Sequence, residues 1–157
     1  MNTEGTYKEQ FLRLLRWYER LEGITKGRNH DRHSETYTDD VHAFFLNCYH
    51  LKDWLINDQS FAACKGEVEA FINGHLELQI CADICNATKH LRLDRERSHQ
   101  CPALGARDVN LTLGNGTPQI SIRFIVETKS CPRDAFELAG KCLALWREFL
   151  CKFGESV

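Results

Sequence analysis

Cys81-Ala82-Asp83-Ile84-Cys85-Asn86-Ala87-Thr88-Lys89-His90-Leu91 is the stretch on which the reading of this chain turns. It reads as the end of a long helix running from about Glu67 to Leu93. At about 100° per residue, Ile72, Leu76, Asp83, Ala87 and His90 fall within roughly 60° of one another, with Asn86 just beside them. A stripe that begins as Ile and Leu therefore continues as Asp and His. Each buried polar group costs about 1–3 kcal/mol unless it finds a partner. Such a stripe calls for a hydrogen-bonded network or a functional site.

The 157 residues fit one domain over 1–157, with 43% hydrophobic and 27% charged residues, an ordinary soluble composition. A formal net charge of −2 gives no global pull towards nucleic acid or anionic membrane, so any polyanion would need a local patch. Met1-Asn2-Thr3-Glu4-Gly5 lacks the basic and apolar regions of a secretory signal, and no stretch is long enough for a membrane span. A cytoplasmic location with no membrane partner is expected. Six of the eight cysteines (Cys48, Cys64, Cys81, Cys85, Cys142, Cys151) lie in or beside predicted helices, where Cys serves as a small core residue, and reduced thiols are expected. Cys81 and Cys85 have the spacing to chelate zinc with His90, or with His99 and Cys101, but structural zinc sites are more tightly spaced, and no metal is assigned.

Upstream, Thr6-Tyr7-Lys8-Glu9 matches a capping box, and Phe11, Leu14, Leu15, Tyr18 and Leu21 continue a helix over residues 7–22 that Gly23 and Gly27 end. Lys26 to Tyr37, with Arg28, His30, Arg32 and His33, reads as a solvated loop or as part of a polyanion-contacting surface. Thr38-Asp39-Asp40 opens a second helix reaching Ile56, capped by Thr38 and with two acids on its positive end. This helix is apolar nearly all round, with Leu46 and Trp54 opposite Val41 and Phe45, as for a helix buried by its own bundle and by a second copy of the chain. His42, Tyr49 and Asp53 share one edge of it. The short loop to the third helix makes the two antiparallel and brings His42 towards Asp83, Asn86 and His90.

Downstream, Val109, Leu111 and Leu113 alternate with polar residues, as do Ile120, Ile122 and Phe124, around Gly114-Asn115-Gly116-Thr117. This is a hairpin over about 107–128 whose apolar face must pack on the bundle or on a partner. Pro132 marks the start of a last helix with a stripe of Phe136, Ala139, Leu143, Trp146, Leu150 and Phe153. The fold read from sequence is mainly α: a four-helix bundle with a β-hairpin inserted before the last helix.

The hexapeptide Cys85-Asn86-Ala87-Thr88-Lys89-His90 resembles the R-N-x-x-x-H motif of HEPN domains, small helical bundles that commonly dimerise. The resemblance covers this motif and the helical plan over roughly 7–93 and 132–153; the hairpin is additional. It implies that His90 is general base or acid, that Asn86 orients it, and that two copies meet to cleave RNA without metal. Cys85 stands where the family has Arg and supplies neither its charge nor its planar fork. Lys89, Arg92 or Arg95 would have to compensate. The reading is thus a HEPN-like homodimer that binds or cleaves RNA, in a toxin or defence system, or a catalytically inactive relative of such modules. Asp83, Asn86 and His90 are the candidate catalytic residues, and Lys89, Arg92 and His42 the candidate binding residues.

Two other readings stand beside it. In one, the polar stripe is architectural and the protein is a non-enzymatic homodimer that engages a protein partner. In the other, Asp39-x-x-His42 with Asp83 and His90 makes a metal-binding bundle, although no Glu-x-x-His pair occurs. No phosphate-binding, dinucleotide-binding or nucleophile-elbow motif is found, and no cofactor is expected.

Overall fold

The computed structural model describes residues 5–61, 65–90 and 93–154, the side chain of Ala106 excepted. The order along the chain is α1 (Tyr7–Lys26), β1 (Arg28–Asn29), α2 (Ser34–Asn57), α3 (Lys65–Asn73), α4 (Leu76–Lys89), β2 (Ala103–Thr112), β3 (Gln119–Glu127), β4 (Arg133–Asp134) and α5 (Ala135–Phe153). It is mainly helical, with a small antiparallel sheet before the last helix.

The helix expected over 67–93 is two helices. Gly74 and His75 separate α3 from α4, and His75, the α4 N-cap, has extended backbone at φ −130°, ψ 114°. Gly74 N–H donates to Ala70 O at 2.9 Å and to Phe71 O at 3.2 Å, which closes α3 there. The described residues therefore carry five helices where four were expected. Periodicity ran through the break because a two-residue interruption removes few apolar positions, while glycine weakens a helix by about 1 kcal/mol relative to alanine.

Other boundaries also move. Gly23 lies inside α1, and only Gly27, at φ 119°, ends it. Thr6 is the α1 N-cap, but its side chain makes no capping bond; instead the Tyr7 amide donates to Asp58 Oδ2 at 2.8 Å. Helix α2 starts at Ser34 behind His33, so Thr38, Asp39 and Asp40 lie within it. The final helix is capped by Asp134, whose Oδ1 accepts from the Phe136 and Glu137 amides at 2.9 and 3.0 Å.

One apolar core joins these elements. The α2 contribution (Tyr37, Val41, Phe44, Cys48, Leu51, Leu55) recurs every three or four residues, and α5 adds Leu138, Cys142, Trp146, Phe149 and Leu150. Strand β3 alternates, burying Ile120, Ile122, Phe124 and Val126. It lies between β1 and β2, with β4 also paired to it, and Leu111 is opposite Ile120 and Val109 opposite Ile122. The hairpin thus packs on the helices through β3. On β2, by contrast, Val109 and Leu111 remain exposed, as does Leu113 just beyond it.

The α2 face offered as a dimer surface carries no large exposed apolar residue among the described residues: Leu46 and Trp54 are half-buried, and Arg13 lies over the Trp54 ring at 5.5 Å. No described helix is long and apolar enough to cross a membrane.

Candidate functional site at the end of α4

Helix α4 is buried on every side through its middle, from Leu78 and Ile80 to Cys85, and becomes solvent-facing from Ala87 onward. The stripe drawn from sequence is therefore not one surface. Leu76 is exposed, Asp83 is fully buried, and Ala87 and His90 are exposed. The α3–α4 break resets the angular relation of Ile72 to the rest.

Asp83 anchors the loop that follows α4. Its Oδ1 accepts from the Arg97 amide at 2.8 Å, and its Oδ2 accepts from the Ser98 amide at 2.9 Å and the Ser98 hydroxyl at 2.5 Å. Both oxygens of the carboxylate are thus engaged by a loop 14 and 15 residues downstream. The loop is tied a second time through Arg97, whose guanidinium donates to Glu69 Oε2 at 2.9 Å and to Asn73 Oδ1 at 3.3 Å. Lys52 reaches the other Glu69 oxygen at 3.2 Å, and both cations lie over the Tyr49 ring. Although burial opposes it, hydrogen bonds from Arg97 and Lys52 hold the Glu69 carboxyl below its usual value.

Beyond this anchor, the chain opens a concavity of about 290 Å³ lined by Asn86, His90, Leu93, Asp94 and Arg95. Lys89 is exposed on the same last turn. His90 is the C-cap, with extended backbone at φ −121°, ψ 129°, and its amide donates to Asn86 O at 2.8 Å. That bond sets the two residues one turn apart, and the His90 ring has no hydrogen-bond or ion-pair partner among the described residues. Arg92 lies outside the described residues; Arg95 is the described cation that lines the concavity.

His42 approaches from α2, its Nδ1 lying 3.3 Å from the Thr88 hydroxyl, so the two helices meet at this end. Burial lowers the His42 pKa, opposed by the Asp39 carboxylate. Cys85, where the motif has Arg, is buried, with Sγ 3.9 Å from His50 Nε2. Burial, and then the Asp53 carboxylate, push its thiol up to about 11, so it remains protonated and uncharged at neutral pH.

A second basic surface lies along α1. Arg13, Arg16, Arg20 and Arg28 with Trp17 line a groove of about 580 Å³, and Arg20 stacks over Trp17 at 4.5 Å. The sequence reading took Arg28 from this surface but missed Arg13, Arg16 and Arg20. Their i, i+3, i+7 spacing places them on one helical face and was the available signal. Glu19 also lines the groove, and Asp40 lies 4.0 Å from Arg20 and 3.7 Å from Arg32, which tempers the charge.

Among the described residues, the one group of three or more metal-binding side chains is Cys48, Cys81 and Cys142. Neither Asp39–His42 nor Cys81–Cys85–His90 gathers into such a set, because Cys81 turns to the core and Cys85 to His50. Compared with known proteins, the chain matches no family model, no curated protein and no solved structure.

Proposed function

We propose that this protein is a HEPN-like helical module that binds RNA at the end of α4, with His90 positioned for metal-independent strand cleavage. The observation that carries the reading is the shared concavity of Asn86, His90 and Arg95. Arg95 brings to that concavity the guanidinium that Cys85 does not provide, offering a planar fork to a phosphate. Lys89 adds a second cation on the same turn. In this reading a ribose hydroxyl loses its proton to His90 and bonds to the adjacent phosphorus, the P–O bond to the next nucleotide breaks, and the departing oxygen takes a proton from water, while Arg95 and Lys89 hold the phosphate oxygens and Asn86 orients the ring or the substrate. The arginine groove on α1 gives a longer RNA a backbone contact, with Trp17 and its stacked Arg20 as a platform. Asp94 on the rim opposes phosphate and limits affinity.

Incubating the protein with mixed RNA in EDTA, beside His90→Ala, tests this reading. Cleavage in EDTA that vanishes in the variant supports it. Absence of both cleavage and RNA binding removes it.

A second reading, a non-enzymatic homodimer, rests on the exposed Val109 and Leu111 of β2 and on Leu113 just beyond it. Strand β2 pairs only with β3, leaving its outer edge free among the described residues. An exposed apolar edge strand is a template for pairing with another chain. Sedimentation of wild type against Leu111→Lys decides it: a dimer that becomes a monomer supports this reading, and a monomeric wild type ends it.

A further inference from the structure

Cys48 on α2, Cys81 on α4 and Cys142 on α5 place their sulfurs within 4.8 Å of one another, and all three side chains are buried. Three helices distant in sequence thus converge on one point with the same soft ligand. The other polar groups there are few. Cys81 Sγ donates to Phe45 O and Cys142 Sγ to Glu77 O, each at 3.4 Å. The Trp146 indole N–H, on a residue 1% exposed, neighbours Cys48 and makes no hydrogen bond. It is an orphaned donor beside the sulfurs in the middle of the core.

Ligand chemistry narrows the occupant. No histidine or carboxylate belongs to the cluster, which excludes hard ions and favours a thiophilic one. Bonds of about 2.3 Å from a central ion set three sulfurs roughly 3.5–4 Å apart, inside the 4.8 Å that bounds the present spacing. Charge narrows it further. Asp40 and Asp83 are the only charged residues buried among those described, and no cation is buried to offset excess thiolate. Three thiolates leave two negative charges on a monovalent ion and one on a divalent ion. On a trivalent centre they leave none, and buried net charge is costly.

We propose that Cys48, Cys81 and Cys142 form a three-thiolate site for trivalent arsenic, with the Trp146 N–H beside the bound sulfurs. The loading step is a condensation. Three S–H groups and trihydroxyarsine give three As–S bonds and three waters, with each thiol proton leaving on a departing hydroxide and arsenic unchanged in oxidation state. The product is neutral and suits an apolar core.

The test uses the full chain with Cys64, Cys85, Cys101, Cys131 and Cys151 replaced by Ser, reduced and refolded anaerobically with arsenite, because the cluster is buried. One arsenic per chain by native mass spectrometry, a near-ultraviolet sulfur–arsenic band, quenched Trp146 emission and a raised Tm are expected, since a ligand held only by the folded state stabilises it. Cys142→Ala in that background, its fold checked by circular dichroism, should lose the adduct and the Tm shift together. No adduct, a lowered Tm, retention of arsenic by Cys142→Ala, or one-to-one binding of zinc or Cu(I) with none of arsenite would each overturn the proposal.

Discussion

Asp83 and Ser98 are joined twice: one carboxylate oxygen of Asp83 accepts from both the amide and the hydroxyl of Ser98, at 2.9 and 2.5 Å, with Asp83 fully buried and Ser98 nearly so. A residue that reads from sequence as a member of a reactive stripe thus closes the loop after α4 onto the core. Replacing Asp83 with Ala leaves the Arg97 and Ser98 amides without acceptors, and a loss of about 2–4 kcal/mol is expected in urea denaturation. Asp83→Asn should lose less, because one oxygen acceptor remains. A loss under about 0.5 kcal/mol for the Ala variant would show that the loop is held by other means.

His90 and Arg95 sit at the surface, so their substitution should separate function from folding. His90→Ala and Arg95→Ala should each change stability by less than about 0.5 kcal/mol. Arg95→Ala should weaken RNA binding and lower the salt slope by about 1, as for one lost phosphate contact. Arg95→Lys should restore the slope but not the full affinity, since lysine lacks the fork. Filter binding across a salt series reads both effects.

His42 makes stability depend on pH. Its folded pKa lies below the unfolded value of 6.5 because burial disfavours the charged ring. Below 6.5 the unfolded chain therefore binds more protons at this residue than the folded one, and stability rises with pH there. The His42 contribution is complete above 6.5 and is lost as pH falls through its folded pKa. Denaturation midpoints of wild type and His42→Gln between about pH 5 and 8 should converge at the alkaline end and separate at the acid end, with wild type the less stable there.

Asp58 takes over the capping that the sequence assigns to Thr6. It accepts from the Tyr7 amide at 2.8 Å and from the Ser60 amide and hydroxyl at 2.8 and 2.6 Å. Burial raises its pKa, but the Ser60 and Tyr7 bonds outweigh this and leave it lowered. Asp58→Ala should therefore cost about 0.5–2 kcal/mol, whereas Thr6→Ala should cost a few tenths at most. Thermal melts of the pair check this, and the reverse order would restore the capping-box assignment.

Local order was legible in the chain itself. The apolar spacing of α1 and α5, and the alternation of β3 around Ile120, Ile122 and Phe124, follow from periodicities of 3.6 and 2 that any core-facing helix or strand must keep. His42 does reach the end of α4, but at Thr88 and not at Asp83, Asn86 or His90, and the short-connection argument does not explain it because α3 and the break at Gly74 and His75 intervene. Tertiary structure alone decided the rest. Glycine at position 74 marks a break only because the chain must turn there, and a single glycine within an apolar pattern does not announce it. Asp83 faces a loop, Cys81 the core and Cys85 a histidine because α4 is enclosed on all sides, so its residues part company by direction rather than by sequence distance. The gathering of Cys48, Cys81 and Cys142 is decided in the same way, by the crossing of three helices whose separation in sequence carries no trace of their contact.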